Sequence, residues 1–70
     1  MDFKSAINFA KRGFLVRRKV MDLFWRHITI DKNTNEIWIE EGSGVRLPVN
    51  VGDVESAFWE VARNEDQKSR

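Results

Sequence analysis

The chain has 70 residues, 12 Lys and Arg against 11 Asp and Glu, and no Cys. That bounds it to one small domain with no disulfide and no thiolate metal site. No apolar run exceeds three residues, and Asp2 and Lys4 interrupt the start, so neither a membrane-spanning helix nor a secretory leader is expected.

A domain this short buries only about 60% of its unfolded surface. Small domains need a staple, and without Cys the remaining one is self-association. A homo-oligomer is therefore expected, in a reducing cytoplasm. The charge is unevenly spread. Between Lys11 and His27 lie six bases and one acid, net +5; between Asp31 and Asp66 lie nine acids and three bases, net −6. The first half suits an anionic partner. Equally, the basic half of one subunit suits the acidic half of another.

In chain order, residues 3–12 read as a helix. Phe3, Ala6, Ile7 and Ala10 share one face, Asp2 is placed to cap the start, and Gly13 to stop the end. Phe9 lies off that face, toward a second subunit or the next strand. Residues 14–18 read as a short strand and 20–22 as a bend. Residues 23–30 alternate, with Phe24, Arg26, Ile28 and Ile30 on one face and Leu23, Trp25, His27 and Thr29 on the other. Residues 31–35 are turn formers, so residues 37–39 complete a hairpin, with Trp38 placed near Trp25. Gly42-Ser43-Gly44 is a turn before a short arm at 45–47, closed by Pro48. Asn50 and Asp53 form a capping box for a second helix. From there two readings stand: a helix to Arg63, or a helix ending near Ala57 followed by a strand over residues 58–62. The domain is expected over residues 1–63, with 64–70 a disordered polar tail. The fold class is α+β: an N-terminal helix on a small antiparallel sheet.

Arg17, Arg18 and Lys19 match phosphate in chemistry, although strand alternation sends Arg17 and Arg18 to opposite faces. Trp25, Trp38 and Trp59 offer rings for stacking, or build the core. His27 stands alone, so no metal site is expected. Gly42-Ser43-Gly44 fits neither a nucleophile elbow nor a phosphate loop. Glu40 and Glu41 point to opposite faces, a poor acid–base pair. No cofactor is expected, and an enzyme is not. Nucleic-acid binding through the basic stretch fits poorly with a net charge of +1.

The opening FKSAINFAKRGFLVRR resembles the Phe-x-x-Ala, Lys-x-Gly, Val-x-Arg start of a family of short phage proteins, the Thoeris anti-defence proteins of the second type. The pattern falls on Phe3, Ala6, Lys11, Gly13, Val16 and Arg18. The closing GDVESAFWEVAR is similar to the family's ending at Asp53, Trp59, Glu60 and Val61. Met21 stands where the family carries Trp, Ser56 and Phe58 replace its Ala and Asp, and the middle is shorter. The resemblance implies a homo-oligomeric sheet-and-helix fold and favours the strand through Trp59. It implies a protein that sequesters, without cleaving, a cyclic nucleotide immune signal. The expected ligand residues are Arg18, with Arg17 or Arg26, for phosphate, and Trp25 or Trp59 for the base. The alternative is a small phage protein of this fold that binds a host protein and no nucleotide.

Overall fold

A computed structural model describes residues 1–42 and 44–62. The expected tail at 64–70 lies outside the described residues. The order is α1 (Phe3–Lys11), β1 (Val16–Val20), β2 (Phe24–Ile30), β3 (Ile37–Glu41), β4 (Val45–Leu47), α2 (Val51–Glu55) and β5 (Glu60–Val61). The strands form one sheet in the order β4-β3-β2-β1-β5, and all its pairs are antiparallel. The fold is α+β, as the sequence leads one to expect.

α1 is set by its two ends. Asp2 accepts from the Ser5 backbone N–H at 2.9 Å. That bond holds the Asp2 carboxyl below its ordinary value. At the other end Gly13 takes φ 95°, the left-handed geometry that suits glycine. The Gly13 N–H donates to Ala10 O and the Phe14 N–H to Phe9 O, and the Phe9 and Phe14 rings meet edge-on at 5.5 Å. Together these make a Schellman motif with its apolar contact. Phe9 thus turns to the following segment. Phe14 is spent on closing the helix, which moves the first strand from the expected 14–18 to Val16–Val20.

Between β1 and β2 the chain reverses at Met21 and Asp22, both left-handed (φ 53° and 56°). The Leu23 N–H donates to Val20 O at 2.9 Å across this turn. Asp31 organises the next turn, accepting from the Asn33 and Thr34 backbones. These two bonds hold its carboxyl below the ordinary range.

After β4 the chain crosses over one face of the sheet through α2 and returns as β5 beside β1. The α2 capping box is complete: Asn50 Oδ1 accepts from Asp53 N, and Asp53 Oδ2 from Asn50 N. The helix ends at Glu55, so of the two readings of the C-terminal segment the short helix and strand is the one observed.

Both helices lie on the same face of the sheet. Ala6, Ile7, Val16, Ile28, Ile39 and Trp59 form the core there. Trp59 is 1% exposed and meets Phe3 at 5.8 Å. Its backbone N–H donates to Met1 O, tying the start of the chain to β5. Among the described residues no element covers the opposite face.

Candidate functional site

The expected site residues divide between the two faces. Arg18 and Arg26 are direct cross-strand partners, and Arg26 in turn faces Glu41 on β3. They point toward the helices, where α2 sets Asp53 above them. Arg26 Nε and Nη2 lie 2.8 and 2.7 Å from the two Asp53 oxygens. Arg18 reaches Oδ1 at 3.0 Å through Nε and at 2.8 Å through Nη2. Arg26 also bonds Glu41. Burial works to raise the Asp53 pKa, but Arg26, the Asn50 backbone and Arg18 outweigh it and hold the carboxyl below its ordinary value. Asp53 in turn raises the Arg26 guanidinium.

Trp59 completes this cluster. Its indole N–H donates to Asp53 O at 2.9 Å, and the Arg18 guanidinium lies 5.7 Å from its ring centroid. With 1% exposure it has no open ring face for a base. Arg26 is 6% exposed, and its charge is met by Asp53 and Glu41. In this arrangement Arg18, Arg26 and Trp59 fix α2 to the sheet. Of the residues that carry the family resemblance, Phe3, Ala6, Val16, Arg18, Asp53, Trp59 and Val61 converge here or in the adjoining core. Those positions encode architecture, and they leave the ligand unspecified.

Arg17 and Trp25 occupy the open face. The Arg17 guanidinium sits 3.8 Å from the Trp25 ring centroid, and Lys19 Nζ lies 5.1 Å from it on the same face. Arg17 also donates to Glu60 Oε2 at 3.3 Å. Trp38 shares this face but is not beside Trp25. It pairs with Thr29, four residues along β2, which is about 13 Å of strand. His27 and Glu40 occupy the row between. His27 titrates below its ordinary value, because burial disfavours its charge and Arg17 adds to that, against the pull of Glu40.

Sequence reasoning overlooked Lys19 as a companion of Trp25. The strand period from Arg17 to Lys19 was the available signal. A cleft of about 550 Å³ is lined by Ala10, Lys11, Gly13, Ile30, Lys32 and Asn35. It adjoins the C-terminal end of α1, whose dipole opposes an anion, and it has no aromatic wall. The Arg17–Trp25–Lys19 group is the better anion and ring site.

Among the described residues no three His, Asp or Glu side chains gather as a metal site requires, and no helix is long and apolar enough to cross a membrane. The chain matches no family model, no curated protein and no solved structure.

Proposed function

We propose that this chain is a non-enzymatic binding protein that sequesters a small anionic nucleotide, as the resemblance to phage anti-defence proteins implies. The observation that carries the reading is the Arg17–Trp25–Lys19 group: two cations set against an indole on the sheet face opposite the two helices. A base stacks on such a ring for roughly 1–3 kcal/mol, and the cations neutralise phosphate. Arg17 supplies a planar fork and Lys19 a mobile point charge.

Isothermal calorimetry against cyclic nucleotides and cyclic ADP-ribose isomers tests it. One of them should bind with measurable heat, and Trp25→Ala should weaken it roughly tenfold or more. The absence of heat with every member of the panel at micromolar protein would sink the reading.

A second reading, binding of a host protein, is favoured by a different observation. Met21, Leu23 and Phe58 are 74–81% exposed, apolar surface that a protein partner would remove from water. A stoichiometric host protein retained from lysate without a nucleotide favours it.

A further inference from the structure

The cleft of about 550 Å³ lies between the C-terminal end of α1 and the β2–β3 turn. Ala10, Lys11 and Gly13 line it from the helix, and Ile30, Lys32 and Asn35 from the hairpin. The volume falls within the range of small-molecule sites. Ala10 and Ile30 are half-buried and pack against the core, so the apolar part of the lining is fixed in place.

Backbone geometry sets both walls. Gly13 ends α1 in the left-handed region, and a Cβ there would meet nothing within 4 Å, so the mouth stands open on that side. Asn35 is left-handed too (φ 63°), and its N–H donates to Asp31 O at 2.7 Å. The charge of the lining is of one sign: two lysines and no acid. Neither lysine forms an ion pair among the described residues. The nearest acids along the hairpin are engaged with its turn. Asp31 accepts from the Asn33 and Thr34 backbones, and Glu36 from the Thr34 hydroxyl.

These features choose the ligand. The lining has no aromatic ring, so a nucleobase gains no stacking here. A phosphate takes its donors from a helix N-terminus or a nest of backbone N–H groups. Here the helix presents carbonyls instead, and the side-chain donors are two ammonium groups and one amide. That set answers the two oxygens of a carboxylate. The helix end carries about half a negative charge, so the anionic head belongs toward Lys32 and Asn35, with an apolar body over Ala10 and Ile30. We propose that this cleft binds an aliphatic carboxylate, either a free short-chain acid or the C-terminus of a peptide that ends in an aliphatic residue. Ile30 points to the helix-covered face, so the site is separate from the Arg17–Trp25–Lys19 group and does not depend on it.

Amide chemical shifts of the whole ¹⁵N-labelled chain test this, titrated with butanoate, hexanoate and hexylamine. Hexanoate should move Gly13, Lys32 and Asn35 saturably, with a dissociation constant in the millimolar range. Butanoate should bind more weakly, by up to about fourfold per methylene removed. Hexylamine has the same chain and the opposite charge, and it should leave these residues unmoved. Lys11→Gln with Lys32→Gln changes two exposed side chains, so the variant should fold as wild type and weaken hexanoate at least about fivefold. Acetyl-Gly-Gly-Leu with a free carboxylate, run beside its C-terminal amide, separates the two sources. Tighter binding than hexanoate, lost in the amide, assigns the site to a peptide terminus, and weaker binding assigns it to a free acid. Shifts that do not saturate by about 20 mM overturn the proposal. So does an equal response to hexylamine, or a hexanoate constant unchanged in the double variant.

Discussion

Arg26 and Asp53 meet as two matched forks. Arg26 Nε lies 2.8 Å from Oδ1 and Nη2 2.7 Å from Oδ2, between residues 27 apart in the chain. Arg18 shares the same carboxylate. One fully buried carboxylate therefore answers two guanidinium groups and fixes α2 to β1 and β2.

Removing Asp53 leaves Arg18 without its carboxylate and Arg26 with Glu41 alone, and it also breaks the α2 capping box. Breaking a buried pair from one side costs about 3–5 kcal/mol. A chain this short holds roughly 4–10 kcal/mol in all. Asp53→Ala should therefore lose most of its cooperative transition in urea followed by circular dichroism. Glu60→Gln, at an ion pair whose acid is 52% exposed, should shift the midpoint by less than about 1 kcal/mol. An Asp53→Ala midpoint close to wild type would show that the cluster does not hold the fold.

The same cluster marks the limit of what the sequence discloses. Capping at Asp2, Gly13, Asn50 and Asp53 is local chemistry, so both helix starts and the end of α1 were legible. The alternation of residues 23–30 correctly set Arg26 with Ile28 and apart from Trp25. What periodicity cannot show is which element lies above a face. Arg18 and Arg26 read as cations for a phosphate because the residue that neutralises them arrives from α2, on the far side of two hairpins. Trp59 was open to two readings for the same reason. It is buried only because Phe3 and the Asp53 carbonyl meet it from distant segments.

Acid should weaken the fold in two steps with the same sign. His27 titrates lower in the folded chain than its ordinary value near 6.5. Between those values the unfolded chain holds more protons, so stability falls as pH drops through about 6.5 and does not return below. Arg17 on β1 and Glu40 on β3 flank His27, the first opposing its protonation and the second favouring it. His27→Gln should flatten this step, measured by urea titration at protein concentrations low enough to exclude self-association. Asp53 contributes the second step. Its depressed carboxyl stabilises the fold above the ordinary carboxylate value, and that stability is lost as pH falls through the folded value. An unchanged slope in His27→Gln between pH 7 and 5 would assign the first step elsewhere.

The β1–β2 turn holds strain that substitution should release. Met21 and Asp22 both sit in the left-handed region, and Met21 is 81% exposed, so its side chain contributes little packing. A left-handed non-glycine residue costs roughly 1–2 kcal/mol, and Asn-Gly is the preferred pair where both central residues are left-handed. Met21→Asn with Asp22→Gly should raise the thermal midpoint by several degrees, since about 1 kcal/mol shifts a domain of this size by roughly 4–8 °C. A lower midpoint would mean that the turn departs from this geometry in solution.

The three indoles should respond differently to an anionic quencher. Trp59 is 1% exposed and should be shielded from iodide. Trp38 is half-buried, in a row of its own beside Thr29. Trp25 is half-buried too, but Arg17 and Lys19 sit against its ring and concentrate anions there. Iodide should therefore quench more than neutral acrylamide would suggest, and Trp25→Phe should abolish most of that excess. Arg17→Ala with Lys19→Ala should remove it while leaving acrylamide quenching in place. Trp59→Phe should leave the excess untouched and lower stability by about 1 kcal/mol, through loss of the indole bond to Asp53 O. An iodide excess that survives in Trp25→Phe and disappears in Trp59→Phe would move the anion site to the helix-covered face, beside Arg18.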